Sequence, residues 1–276
     1  MNNIDSIKAR PFLRWAGGKS WLINQLDNLI QIDTFNQYHE PFFGGGAFFF
    51  HINPQSPSYL NDLNHELIET YECVKDDVLG VIDELKKFHN TKEFYYKVRS
   101  SNFKKPQKKA ARFIFLNQTS FNGIYRVNLK GEYNVPFGFR KKDFLETELL
   151  KIASKTLKSA IFSKGDFLCS LDNIQENDLV FLDPPYTITH NDNGFFKYNA
   201  KLFTKDDQLR LSDMIDEIKR RNAFYILTNA AHEKVKEIFN KNDNMIELKR
   251  ASLIGGKNAK RDKYSELMVT NLNIIR

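Results

Sequence analysis

Hydrophobic and polar positions along the chain change rhythm several times. Between residues 38 and 62 a short run ending in YHEP leads to three glycines at 44 to 46, then to the apolar AFFFHI and on to SYLND. Strand-like and helix-like patterns alternate over short distances here, which predicts a βαβ unit. From about 64 to 120 the period is that of helices, in NHELIETYECVKDDV and DVLGVIDELKKFH, ending in the basic aromatic run KKAARFIFLNQTSFNG. IYRVNLKGEYNVPFG then alternates on either side of Lys130-Gly131, which predicts a β-hairpin with Arg126 on one arm.

Beyond about 155 the mixed character returns. DLVFL is a continuous apolar run of the kind buried on both faces in a parallel sheet, and AFYILTN and ELMVTN read as further buried strands. Thr204 with Asp207 three residues on is a capping-box-like helix start, after which Leu211, Met214, Ile215 and Ile218 share one face. The pattern predicts an α/β sheet domain made of both chain parts, 1–63 and 156–276, interrupted at 64–155 by a mostly helical insert with a β-hairpin.

Charge changes this picture more than composition does. The 276 residues are enough for one large α/β domain, or a core with a smaller inserted one. Net charge is +7, but Lys86 to Ala160 holds 18 Lys and Arg against 5 Asp and Glu, so +13 sits in this middle segment and the remainder sums to −6. A local basic segment is the electrostatic footprint of a polyanion, or else a lysine-rich solvated face. Cys73 and Cys169 lie far apart with no C-x-x-C pair, so no disulfide framework or thiolate zinc site is indicated. The first residues lack an apolar signal region, and no stretch approaches the roughly 20 apolar residues of a membrane helix. A soluble protein of the reducing cytoplasm is expected.

Candidate chemistry gathers at four places. In EPFFGGGAFFF the glycines follow a strand and open a helix, where bare backbone can approach a ligand. Position 49 is Phe, so the dinucleotide spacing G-x-G-x-x-G fails; a nucleoside without phosphates, or a plain tight turn, stays open. Asp62 follows Gly44 by about the 20 residues that place an acid beside a ribose. Its other reading is an N-cap for the next helix, a role overlapping with Asn61. RWAGGKS ends in G-K-S, but the phosphate loop needs glycine at position 13, which is Leu. What remains is Trp15 and Lys19 flanking Ala-Gly-Gly, either a cation and an aromatic face for a small zwitterion or a surface turn.

The fourth place is FLDPPYTIT. Pro184 and Pro185 end strand hydrogen bonding and fix φ at the carboxyl edge of a sheet. Asp183 and the Pro184 carbonyl then form a rigid pair of acceptors suited to an amino group with two N–H donors, and Tyr186 can stack on the ring that carries it. Such a grip draws the amine lone pair out of conjugation and makes it nucleophilic without a strong base. Histidines 39, 51, 65, 89, 190 and 232 show no i, i+4 pairing, so no catalytic metal is expected, and the absence of G-x-S-x-G argues against hydrolase chemistry.

RWAGGK, EPFFGGGAFFF, YLND and DPPY, in this order, resemble the D12 class of adenine-specific DNA methyltransferases, the Dam-type family. FNGIYRVNLKGEYNVPFG also resembles that family's target-recognition hairpin, so the likeness runs from about Phe12 to Asn271. It implies a class I methyltransferase sheet with helices on both faces, S-adenosylmethionine as cofactor, double-stranded DNA as partner and a methyl placed on adenine N6. On the cofactor side it implies Trp15, Lys19, Glu40, Gly44, Asp62, Asp166 and Asp183; at the reacting amine, Asp183, Pro184 and Tyr186. It implies DNA contacts by Asn122, Ile124, Arg126, Pro136 and Arg140, and by Lys257, Lys260 and Arg261 in the basic loop GGKNAKRDK, a stretch that also reads as a plain solvated loop. Arg126 is the best guanine reader, because a guanidinium bonds O6 and N7 together. Members that read GATC often carry Gly-Arg-Tyr after the proline, whereas this chain has GFRKK, with Arg140 in place of the tyrosine.

Rival expectations keep the amine chemistry on RNA or on protein glutamine, or retain a DNA-binding module with a vestigial site. The +13 segment from Lys86 to Ala160 disfavours a protein substrate, and the intact Lys19, Asp62, Asp183 and Tyr186 disfavour a vestigial site. A restriction endonuclease encoded nearby is an expected partner if the enzyme does not stand alone.

Overall fold

The computed structural model describes residues 8–26, 28–32, 34–140, 142–186, 203–251 and 263–275. Its seven strands form a mixed sheet of order β3-β2-β1-β4-β5-β7-β6: β1 Tyr38–Glu40, β2 Ser58–Asp62, β3 Ala160–Lys164, β4 Leu179–Leu182, β5 Phe224–Ala230, β6 Asn244–Ala251 and β7 Lys263–Thr270. With its helices this is the class I methyltransferase sheet that the resemblance implies. No helix among the described residues is long and apolar enough to cross a membrane.

The chain divides into two compact units, residues 1–23 with 43–166 and residues 24–42 with 167–276. In the first, β2 and β3 run parallel with Asp62 beside Lys164. The expected βαβ helix is α2 (Ala47–Ile52), following α1 (Ser20–Leu26) in chain order, and Gly46 at its N-cap has φ +64. A Cβ at Gly46 would sit 2.6 Å from the Phe43 ring, so only glycine serves.

The stretch 64–155 carries α3 (His65–Leu85), α4 (Lys92–Ser100), α5 (Pro106–Thr119) and α6 (Thr147–Thr156). The two overlapping helical patterns in the sequence are the two arms of α3, which break at Asp77, where φ is −143 and the side chain accepts from the Gly80 N–H to restart the helix. α3 packs on α5 and α6, and Leu67, Tyr71 and Val74 are among its buried residues. The expected hairpin is present as a ribbon with isolated bridges rather than full strands: Val127 faces Tyr133 and Ser120 faces Phe137. Its loop is Leu129-Lys130-Gly131, with Gly131 left-handed at φ +78 and its N–H donating to the Asn128 carbonyl. The turn is therefore one residue longer than the Lys130-Gly131 pair predicts, because a type I turn followed by a left-handed glycine closes the arms.

In the second unit β1, β4 and β5 run parallel and β7 is antiparallel to both β5 and β6. DLVFL forms β4, buried at all four strand positions. α7 (Lys205–Arg220) starts with the predicted capping box, with Thr204 and Asp207 each holding the other's backbone or side chain. Leu211, Met214, Ile215 and Ile218 are all buried, in a core shared with Val180, Leu182, Tyr225 and Leu227. Each contributes about 1.5–3 kcal/mol by leaving water. The short α8 (Glu233–Ile238) follows β5. β6 carries no clear sequence signal, since its polar NMIELKRA owes its strand state to pairing with β7 along eight positions.

Candidate active site

In the first unit the glycine turn and the end of β2 are joined by one carboxylate. Asp62 Oδ2 accepts from the Gly44 N–H at 2.8 Å and Oδ1 from the Asn64 N–H at 2.8 Å. Burial raises the Asp62 carboxyl above its ordinary range, and these two N–H bonds pull against that shift. The helix cap is Asn64, whose side chain accepts from the Leu67 N–H, so Asp62 does not fill the N-cap role. Asn61, buried beside it, donates to the Gly165 carbonyl and accepts from Ser163. The Gly165 N–H donates to the Asp62 carbonyl at 3.2 Å, so half-buried Asp166 follows directly on a residue bonded to the Asp62 backbone.

Space left by the glycines is filled by an indole. A Cβ on Gly44, where φ is +49, would lie 2.8 Å from Trp15 Cδ1 and Nε1, and one on Gly45 would lie 2.9 Å from Trp15 Cβ. Trp15 in turn stacks on Tyr125 at 5.8 Å and on Phe113 at 6.5 Å between ring centroids. Lys19 is buried just ahead of α1, its ammonium donating to the Gly17 carbonyl at 2.8 Å. Gly44, Trp15 and Asp62 are thus brought together, with a buried cation on the Trp15 loop.

The expected DNA readers surround the ribbon. Asn122 is exposed with φ +55, in the left-handed region where asparagine is tolerated. Ile124 is half-buried and its carbonyl accepts from the Tyr133 hydroxyl. Arg126 is exposed, with Nε donating to Asn134 Oδ1 at 2.7 Å, so its guanidinium is held across the ribbon. Pro136 is exposed and its carbonyl accepts from the Phe121 N–H. Arg140 is half-buried and donates to Gln118 Oε1, which turns it toward α5. Lys257, Lys260 and Arg261 lie outside the described residues.

In the second unit, Asp183 leaves the end of β4 half-buried, Pro184 is buried and Pro185 is exposed. Asp183 Oδ1 accepts from the Thr228 hydroxyl at 2.7 Å. Tyr186 donates its hydroxyl to Glu266 Oε2 at 2.7 Å. Burial, and then the charges of Asp183 and Glu266, push the Tyr186 phenol well above its usual 10, so it is a neutral ring and donor at any working pH. Glu40, at the end of β1, is buried and accepts from the Tyr38 hydroxyl at 2.7 Å. Sequence reasoning missed Thr228 and Glu266, which stand 45 and 80 residues from their partners and meet them only through sheet pairing.

Among the described residues no group of three or more His, Cys, Asp or Glu is placed to hold a metal ion. What the arrangement offers is a carboxylate at a glycine turn for a diol, a buried lysine for a carboxylate, and a carboxylate followed by Pro-Pro-Tyr for an aromatic amine.

The sequence is similar to those of known proteins. The profile of the D12 class N6 adenine-specific DNA methyltransferases matches residues 15–253. A type II methyltransferase of Lactococcus lactis subsp. cremoris, M1.LlaDCHI, is 33% identical over 278 residues, covering 97% of each chain. The type II methyltransferase M.MjaIII of Methanocaldococcus jannaschii is 35% identical over 81% of this chain and 85% of its own. The DNA adenine methylase of Escherichia coli K12 is 33% identical over 80% of this chain and 81% of its own. The chain belongs to the D12 class of N6 adenine-specific DNA methyltransferases and is an adenine-specific DNA methyltransferase.

Proposed function

We propose that the protein uses S-adenosylmethionine to methylate adenine N6 at a short sequence in double-stranded DNA, with the target base turned out of the helix. The observation that carries this reading is Asp183, anchored by Thr228 at the end of β4 and followed by Pro184, Pro185 and Tyr186. The cofactor fits the residues present: a carboxylate on the glycine turn suits ribose hydroxyls better than phosphates, and buried Lys19 suits the amino acid carboxylate. Trp15, Lys19, Glu40, Gly44, Asp62, Asp166 and Asp183 would hold it. When bound it supplies an electrophilic methyl group.

The chain's own groups prepare the acceptor. Asp183 and the Pro184 carbonyl take the two N–H groups of the adenine amine and draw its lone pair out of the ring. Tyr186 offers its face to the base, offsetting part of the few kcal/mol that unstacking costs. The proton released from N6 passes to solvent or to Asp183.

Residues 64–155 form the recognition part in this reading, and 1–63 with 156–276 the catalytic part. Asn122, Ile124, Arg126, Pro136 and Arg140 meet the target, and Lys257, Lys260 and Arg261 meet phosphates. GATC is the first target to test, although Arg140 stands where GATC readers often carry a tyrosine. The protein acts in the cytoplasm, alone or beside a cognate restriction endonuclease.

The test is protection of unmethylated plasmid from a nuclease that cuts only unmethylated GATC, with Asp183→Ala as control. Protection lost in the variant supports both activity and target. Methyl transfer without protection keeps the activity and moves the target to another sequence. No transfer to DNA, with cofactor still bound, removes DNA as the substrate.

A further inference from the structure

We propose that Thr228 and Glu266 are positioning residues for methyl transfer: Thr228 fixes the plane of the Asp183 carboxylate, and Glu266 fixes the Tyr186 ring. The inference rests on the roles proposed above for Asp183 and Tyr186.

Sheet register sets up both contacts. β4 and β5 run parallel with Leu182 beside Leu227, so the next residue on each, Asp183 and Thr228, meet where β4 ends. Thr228 is 1% exposed. Its hydroxyl lies 2.7 Å from Asp183 Oδ1 and 3.5 Å from the Leu182 carbonyl. The same hydroxyl also reaches the Tyr186 hydroxyl; it has one hydrogen to give, and the short contact to the charged oxygen takes it. At the end of a strand of four buried residues, this bond restricts the Asp183 carboxylate about its χ angles and favours one plane.

Glu266 is harder to explain by packing alone. It lies 6% exposed on β7, followed by buried Leu267, Met268 and Val269 and opposite Ala230 of β5. Burying a carboxylate among such neighbours is unfavourable unless it is bonded, and an apolar residue of similar volume would often serve stability as well or better. Among its partners is the Tyr186 hydroxyl at 2.7 Å. A ring needed only for stacking requires no hydroxyl, so the Tyr-Glu pair sets the ring's orientation as well as its presence.

The experiment uses the full chain with steady-state methyl transfer to duplex DNA, calorimetric cofactor binding and thermal unfolding measured together. Thr228→Val keeps the shape and removes the donor. The expected result is kcat lowered roughly ten- to a hundredfold, the effect of one hydrogen bond to a charged group, with cofactor affinity unchanged and Thr228→Ser restoring most of the rate. Thr228→Ala carries the same test if valine prevents folding. Glu266→Gln, which keeps an acceptor, is expected to retain more of the rate than Glu266→Leu. Wild-type kcat in Thr228→Val and Glu266→Leu would overturn the inference, as would serine failing to rescue. Absence of transfer by the wild-type protein would overturn the underlying reading first, and the positioning roles with it.

Discussion

Gly44→Ala isolates the contact on which the cofactor turn is built. Two terms are readable at this position. Backbone φ is +49, a left-handed conformation that costs a residue with a Cβ about 1–2 kcal/mol. The new Cβ would also stand 2.8 Å from two atoms of the Trp15 ring, about 1 Å inside ordinary contact. That ring cannot swing away cheaply, because it stacks on Tyr125 and lies over Phe113. Overpacking of this kind costs about 1–3 kcal/mol, so the sum is about 2–5 kcal/mol. Gly131→Ala is the internal control: φ is +78 there, but nothing lies within 4 Å of the added Cβ, so only the backbone term applies. Denaturant unfolding of both variants reads the difference, and cofactor titration of Gly44→Ala should show weakened binding as Trp15 is displaced. Equal destabilisation by the two substitutions would refute the reasoning, since the Trp15 contact would then carry no weight.

Other expectations follow from single contacts. Thr204→Ala removes one half of the α7 capping box and should lower stability by about 0.5–2 kcal/mol in chemical unfolding, with little change in cofactor affinity. Arg126→Ala should relax discrimination at one base pair by about 1–3 kcal/mol, read as the ratio of rates on cognate and singly substituted duplexes. The Tyr186 phenol, raised by burial and by Asp183 and Glu266, favours folding fully below the unfolded-state value near 10, and that contribution fades as pH rises through the folded value. Ultraviolet titration of wild type and Tyr186→Phe should therefore coincide up to about pH 10; a tyrosinate below that pH, absent from the phenylalanine variant, would contradict the assignment.

Local signals made much of the fold legible, and long-range pairing hid the rest. Thr204 and Asp207 announce α7, and the glycines after YHEP announce α2, because caps and turns act within a few residues. Asp62 was read as a ribose acid or a helix cap, and only the folded chain shows Asn64 in the cap and Asp62 bonded to the Gly44 N–H. The glycines suggested room for a ligand, yet Trp15, about 30 positions earlier, fills the space beside Gly44. Thr228 and Glu266 could not be found from DPPY at all, since a hydroxyl in AFYILTN and a carboxylate in SELMVTN look like ordinary strand polarity until β4, β5 and β7 are aligned.

The most direct test of the account is nucleoside analysis of duplex DNA after incubation with methyl-labelled S-adenosylmethionine and the purified protein. The predicted result is label in N6-methyl-2′-deoxyadenosine alone, lost with Asp183→Ala. Label in any other nucleoside, or undiminished label with Asp183→Ala, would contradict it.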